Sequence, residues 1–246
     1  MNDLAALGIR PDDTVFVHSS MKAIGPVEGG ADTVLDAMTE YLRDGLLLFP
    51  THTWDRVGET HVFDAAHDRS CVGLLSNMAM RRPGAVRSLN ASHSVAAIGR
   101  DAAEYVRGDE NALTPLPRKG TMGQLIDRKG IILLLGCSPK RNTFIHCVEE
   151  ILNIPNRISP NPYEVEIIAQ DGTRSRCMHT GHMGNVSEVY DRAVPLLLRS
   201  GAMWTGMFGD ALTFAERADR VFEVLSDKLG QDPDFFTPEP DERKAK

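Results

Sequence analysis

The chain has 246 residues, 42% of them apolar and 25% charged, with 27 basic against 34 acidic side chains and a formal net charge of −7. Those proportions exclude a disordered, collagen-like or coiled-coil chain, and the acidic balance argues against nucleic acid as a partner. The longest apolar runs, at 45–49 and 131–135, fall far short of the roughly 20 residues that cross a bilayer, and Met1-Asn2-Asp3-Leu4, with no basic stretch before an apolar one, leads us to expect no secretory signal.

In chain order, Val15-Phe16-Val17 is a β-rich run entered from the turn cluster Pro11-Asp12-Asp13. Residues 25–30 form a glycine-rich turn, and residues 31–42 place Val34, Leu35, Met38 and Leu42 on one helical face. A second strand over 46–49 is closed by Pro50. Strand, turn, helix, strand is a βαβ unit, which predicts a mostly parallel sheet covered by helices. Residues 51–92 are irregular, with a helix-like stretch at 73–80 that Pro83-Gly84 ends. A strand at 94–98, a short helix at 102–106, a proline-bearing loop at 113–118 and a helical turn at 122–127 follow. The apolar run 131–135 reads as a buried strand, and residues 144–152 as a helix stopped by Pro155. Residues 163–169 and 174–178, joined by Asp171-Gly172, read as a smaller hairpin. Helices are expected over 189–198 and 211–229, the latter with Phe214, Ala218, Val221, Phe222 and Leu225 inside. Residues 231–246 are expected to be a loose tail, which leaves 1–230 as one domain.

Two stretches could carry chemistry. After the 131–135 strand, Asn142 or Thr143 can cap a helix on which His146 and Glu149 stand three apart. Ligands gather at the carboxyl ends of strands in open α/β sheets, and a histidine there can take a proton near neutral pH. The spacing alone also fits a pair on a solvated helix face. The second stretch, His18-Ser19-Ser20-Met21-Lys22-Ala23-Ile24-Gly25, puts hydroxyls and amides after a strand, as an anion site or ordinary turn chemistry would. Cys71, Cys137, Cys147 and Cys177 form no C-x-x-C pair, which fits reduced thiols in a cytoplasm. Neither His179 and His182 with Cys177, nor His52, His61 and His67, supplies the paired spacings of a four-ligand zinc site, so no metal is expected. Trp204 and Phe208 read as core, and no Gly-x-Ser-x-Gly elbow marks Ser19 or Ser20 as a hydrolase nucleophile.

Taken together, these stretches resemble the aminoglycoside 3-N-acetyltransferase (antibiotic acetyltransferase) family over about residues 4–228. The matching run includes Leu7-Gly8-Ile9-Arg10-Pro11, His18-Ser19-Ser20, Glu28-Gly29-Gly30, Phe49-Pro50-Thr51, Phe63-Asp64, Arg87-Ser88, Ser94-Val95-Ala96-Ala97-Ile98-Gly99, Asn142-Thr143, His146, Glu149 and Gly209-Asp210-Ala211. The resemblance implies a single-domain layered α/β fold and acetyl-CoA as co-substrate. It implies His146 as the catalytic base supported by Glu149, and a coenzyme A channel lined by the segment from His18, Ser19 and Ser20, with Lys22, Ile24, Gly25 and Thr143 expected beside it. The family usually carries His-Pro where Asn90-Ala91 stands here, and a glutamate where Asn77 stands.

The expected function is acetyl transfer from acetyl-CoA to an aminoglycoside amine by direct transfer in a ternary complex. The alternatives are a same-fold acyl-CoA transferase acting on another small amine, and a non-catalytic coenzyme A- or metal-binding protein. Asp55, Glu59 and Asp64 are the acids expected to hold a polycationic amine, with His93 and His179 beside it. A cytoplasmic location and no nucleic-acid or membrane partner are expected. The oligomeric state stays open, a homodimer included.

Overall fold

Continuous apolar runs build the strands that carry the site. In the computed structural model, which describes residues 2–239, the runs beginning at Val15, Leu46 and Ile131 are buried along their length, as strands covered on both faces require. The strands are β1 (Thr14–Ser19), β2 (Leu46–Pro50), β3 (Val62–Asp64), β4 (Val86–Arg87), β5 (Val95–Gly99), β6 (Ile131–Leu135), β7 (Tyr163–Ile168), β8 (Arg174–His179), β9 (Met203–Phe208) and β10 (Ala211–Arg217). The helices are α1 (Asn2–Ala6), α2 (Met21–Ile24), α3 (Gly30–Tyr41), α4 (Trp54–Thr60), α5 (Leu74–Ala79), α6 (Ala102–Tyr105), α7 (Thr121–Asp127), α8 (Thr143–Ile151), α9 (Val194–Arg199) and α10 (Ala218–Gln231).

Seven strands form one sheet in the order β4-β5-β2-β1-β6-β10-β9, and β3-β7-β8 form a smaller one. β1 lies parallel to both β2 and β6, while β2 with β5, β5 with β4, β6 with β10 and β10 with β9 pair antiparallel. The expected helix-covered sheet and smaller hairpin are present, with the parallel pairings at the sheet's centre and antiparallel ones on both flanks. Side chains alternate between its faces. Phe16, Leu48 and Ile132 pack with α8 and α10, and Val15, Val17 and Leu133 pack with α3 and α5. A third cluster of Val57, Phe63, Val165 and Ile167 lies under the smaller sheet.

Two expectations are corrected. Residues 211–217 are strand β10 rather than the start of a helix: Ala211, Thr213 and Ala215 are buried and Leu212 is exposed, the two-residue alternation of a strand. The 231–246 segment is not loose where it is described. Phe236 is fully buried with its ring 4.9 Å from that of Tyr190, and Arg192 donates to the Phe235 and Thr237 carbonyls. The rest of that segment, 240–246, lies outside the described residues.

Candidate active site

The carboxyl end of β6 leads into the site. Gly136 has φ +63°, and a Cβ there would meet the Cβ of Ala23 at 2.3 Å, so the turn requires glycine. Asn142 then caps α8, its Oδ1 accepting from the Phe144 amide at 3.1 Å. Phe144, Ile145, Cys147 and Val148 anchor the helix in the core, which turns His146 toward a cavity of about 1030 Å³. The cavity wall includes His18, Ser19, His52, Trp54, His93, Asn142, Thr143, Tyr163 and His182.

Behind His146 runs a buried relay. Tyr190 donates its hydroxyl to Glu149 Oε2 at 2.5 Å, and Arg157 donates Nε–H to Glu149 Oε1 at 2.5 Å. Both carboxylate oxygens therefore accept. The Tyr190 oxygen lies 2.6 Å from His146 Nδ1 and, having spent its own hydrogen, accepts the Nδ1 proton. That fixes the tautomer with the lone pair on Nε2. Burial, then the neighbouring His182, His52 and Arg157, hold the His146 pKa well below the ordinary imidazole value, so it stands neutral at pH 7. Burial raises the Glu149 pKa, and the bonds from Tyr190 and Arg157 oppose it. Tyr190 and Arg157 have no sequence signal tying them to His146; a tyrosine 44 positions away is found only through the fold.

A second relay starts at the Ala112 carbonyl, 3.1 Å from His179 Nδ1. A carbonyl only accepts, so Nδ1 carries the hydrogen and His179 Nε2 accepts the Ser92 hydroxyl at 2.7 Å. Ser92 Oγ in turn accepts from His93 Nδ1 at 2.8 Å, which leaves the His93 lone pair on Nε2. The His146 and His182 rings stack with centroids 4.4 Å apart, and His93 meets His182 at 5.1 Å and His52 at 4.5 Å. His18, His52 and His182 each leave Nε2 buried without a hydrogen bond among the described residues. Burial lowers the His18 pKa to about 3, and burial followed by His18, His182 and Arg87 does the same for His52. No group of three or more His, Cys, Asp or Glu among the described residues is arranged to hold a metal.

Of the residues expected at the site, His146, His18, Ser19, Thr143 and His93 line the cavity together, with Glu149 buried behind His146. The others do not reach it. Ser20 caps α2, Lys22 is exposed on that helix, Ile24 is core, and Gly25 packs against Asp210, whose carboxylate a Cβ would strike. His179 stands one residue behind the wall as the support of Ser92. Asp64 accepts from the Ala66 and His67 amides and pairs with His67, which ties it to its own turn. Asp55 and Glu59 are exposed on α4, whose Trp54 and Gly58 are the residues that line the cavity. No Asp or Glu stands among the described lining residues. Asn90 and Asn77, the departures from the family pattern, are loop staples. Asn90 accepts from the Ser92 and His93 amides and donates to the Pro115 carbonyl, and Asn77 bonds the Ser70 amide and the Ser70 and Gly73 carbonyls. Arg87, unremarked as a site organiser, is buried and donates to the carbonyls of Thr51, Ala65 and Asp68, which pins the loops around His52.

The family model described as aminoglycoside 3-N-acetyltransferase matches residues 16–229. The aminoglycoside N(3)-acetyltransferase III of Serratia marcescens is 31% identical over 189 residues, covering 69% of this chain and 69% of that protein. The aminoglycoside N(3)-acetyltransferase VII of Streptomyces paromomycinus is 31% identical over 194 residues, 70% of this chain and 65% of that one. Among solved structures, the apoenzyme of aminoglycoside acetyltransferase AAC(3)-IVa superimposes with a TM-score of 0.82 at 25% identity, over 98% of this chain and 90% of that chain. AAC-IIIb, solved in a binary complex with CoASH, has a TM-score of 0.81 at 23% identity over 97% of each chain, which shows the common fold. The relatives are named for acetyl transfer, and the family match spans both relays. This chain belongs to the aminoglycoside 3-N-acetyltransferase family.

Proposed function

We propose that the chain transfers the acetyl group of acetyl-CoA to an amino group of a small-molecule acceptor, with His146 as general base. The observation that carries this reading is the Glu149–Tyr190–His146 relay, which presents a lone pair on His146 Nε2 to the large cavity. An alkylammonium has a pKa of about 10 and must lose a proton before its nitrogen attacks a thioester. A neutral, oriented imidazole takes the proton that the free amine sheds as it bonds to the acetyl carbon, and the relay's carboxylate stabilises the imidazolium that results. Lys140 and Arg141 on the wall supply positive charge for the phosphates of coenzyme A, and Ser19, Ser76 and Thr143 add hydroxyls along it. Direct transfer in a ternary complex fits the thiols. Cys71 and Cys137 line the cavity, but burial pushes their pKa values to about 11 and about 12, so neither is a ready nucleophile. The reduced thiols and the lack of a described helix long and apolar enough to cross a membrane fit a cytoplasmic enzyme.

Relatives named for aminoglycosides make an aminoglycoside amine the leading acceptor. A second reading, a same-fold transferase acting on another small amine, is favoured by one observation: no carboxylate stands among the described lining residues to meet a polycation. Thiol release from acetyl-CoA, measured across aminoglycosides, polyamines and monoamines, tests both. Saturable release with an aminoglycoside supports the first, and release with other amines alone supports the second. No release above the amine-free background with any amine overturns the transfer reading.

A further inference from the structure

The proposed reaction takes two protons from the acceptor nitrogen at two different moments. An acceptor R–NH3+ becomes an amide R–NH–CO–CH3, so its nitrogen sheds two protons. One ends on the departing sulphur as the coenzyme A thiol, and the other goes to solvent. The first must leave before attack, because an ammonium has no lone pair, and the second leaves as the N–C bond forms.

The cavity holds two imidazoles whose tautomers are fixed by independent relays. His146 is set by Tyr190 and Glu149, and His93 by Ser92, His179 and the Ala112 carbonyl. Both line the same cavity and flank His182, at ring distances of 4.4 and 5.1 Å. Each relay leaves the lone pair on Nε2, and His93 Nε2 has no hydrogen bond among the described residues. No carboxylate stands on the described wall, Glu150 lying 3.7 Å behind His182 Nε2, so the lone pairs that His93 and His146 present there are acceptors for an incoming ammonium.

We propose that His93 takes the first proton from the acceptor and that His146 takes the second. As the nitrogen bonds to the acetyl carbon, the carbon–sulphur bond breaks and imidazolium 146 returns its proton to the thiolate; the proton on His93 passes to cavity water. This rests on the acetyl-transfer reading above. The groups facing His93 are His52 after β2, His182 after β8, His146 on α8 and His179 on β8, and no carboxylate is among them. Burial and these imidazoles hold the His93 pKa well below its ordinary value, so it releases a proton rather than storing one.

The test sets two acceptors against two variants, with thiol release read at pH 7. One acceptor is an alkylamine, charged at that pH; the other is an alkoxyamine, whose low basicity leaves it neutral. His93→Gln is expected to lose about 10²-fold in kcat/KM with the alkylamine and to come within about 3-fold of wild type with the alkoxyamine. His146→Gln is expected to stay slow with both. Ser92→Ala, which frees the His93 tautomer, should show a weaker form of the His93→Gln pattern while coenzyme A affinity, read by calorimetry, stays unchanged. Equal losses of His93→Gln on the two acceptors, or no loss on the alkylamine, overturn the assignment. The alkylamine is one that wild-type protein turns over in the amine screen above; if nothing in that screen releases thiol, the transfer reading falls and this inference with it.

Discussion

Tyr190 separates two groups that the helix brings close. His146 Nδ1 and Glu149 Oε2 are 3.7 Å apart on α8, and the Tyr190 hydroxyl bridges them with bonds of 2.6 and 2.5 Å. Tyr190→Phe removes only that hydroxyl. We expect kcat to fall about 10-fold with little change in KM for acetyl-CoA, because the ring stays in the core while His146 loses the acceptor that fixes its tautomer. Steady-state rates with acetyl-CoA as the varied substrate check this. Glu149→Gln is a less clean probe, since it leaves the buried Arg157 without its anion and should cost about 3–5 kcal/mol of stability in urea unfolding. The direction of the His146 shift also fixes a pH profile. With a weakly basic acceptor, kcat/KM should stay level above pH 6.5 and fall on acidification with a midpoint below the ordinary imidazole value. A midpoint at or above 6.5 contradicts the neutral-base assignment. At this scale the sequence makes His146 and Glu149 visible through their spacing, whereas Tyr190, Arg157 and His179 join the relays from 44, 8 and 87 positions away from their partners.

Elements were legible where one physical rule dominates. β1, β2 and β6 are unbroken apolar runs, and the 163–178 hairpin announces its turn with Asp171-Gly172. Residues 211–229 were not, because no glycine or proline separates strand β10 from α10 and the boundary falls at Arg217-Ala218. β10 also carries Glu216, which is fully buried, accepts from Asn142 Nδ2 at 2.7 Å through Oε2 and leaves Oε1 without a partner. Burial pushes its pKa up to about 8. A raised folded-state pKa contributes stability that is complete below the unfolded value near 4.5 and is lost as pH rises through about 8. Glu216→Gln keeps an acceptor for Asn142 and cannot ionise. It should raise Tm relative to wild type at pH 9 and lose that advantage near pH 4.5, as read by calorimetry. A gap of the same size at both pH values contradicts the buried-acid account.

For the whole molecule, the cost of the site appears in acid. His18 and His52 have folded pKa values of about 3, so their neutral forms are held by burial. A depressed pKa contributes stability that is present above the unfolded value near 6.5 and lost as pH falls toward the folded one, at about 1.4 kcal/mol per pH unit for each imidazole. The urea midpoint should therefore drop steeply between pH 6 and 4; a flat midpoint there contradicts the buried neutral cluster. The α/β architecture and the family were readable from motifs strung along the chain in order. The acceptor wall was not, because residues 51–92 take their side-chain directions from contacts such as those of Arg87 with the carbonyls of Thr51, Ala65 and Asp68. In that segment His52 and Trp54 line the cavity, while Asp55, Glu59 and Asp64 do not. Thiol release by His146→Gln, read beside coenzyme A binding, decides whether His146 is the base of an acetyl transfer. We expect kcat/KM to fall about 10²–10⁴-fold with coenzyme A affinity within about twofold of wild type. A folded variant that turns over at the wild-type rate would contradict it.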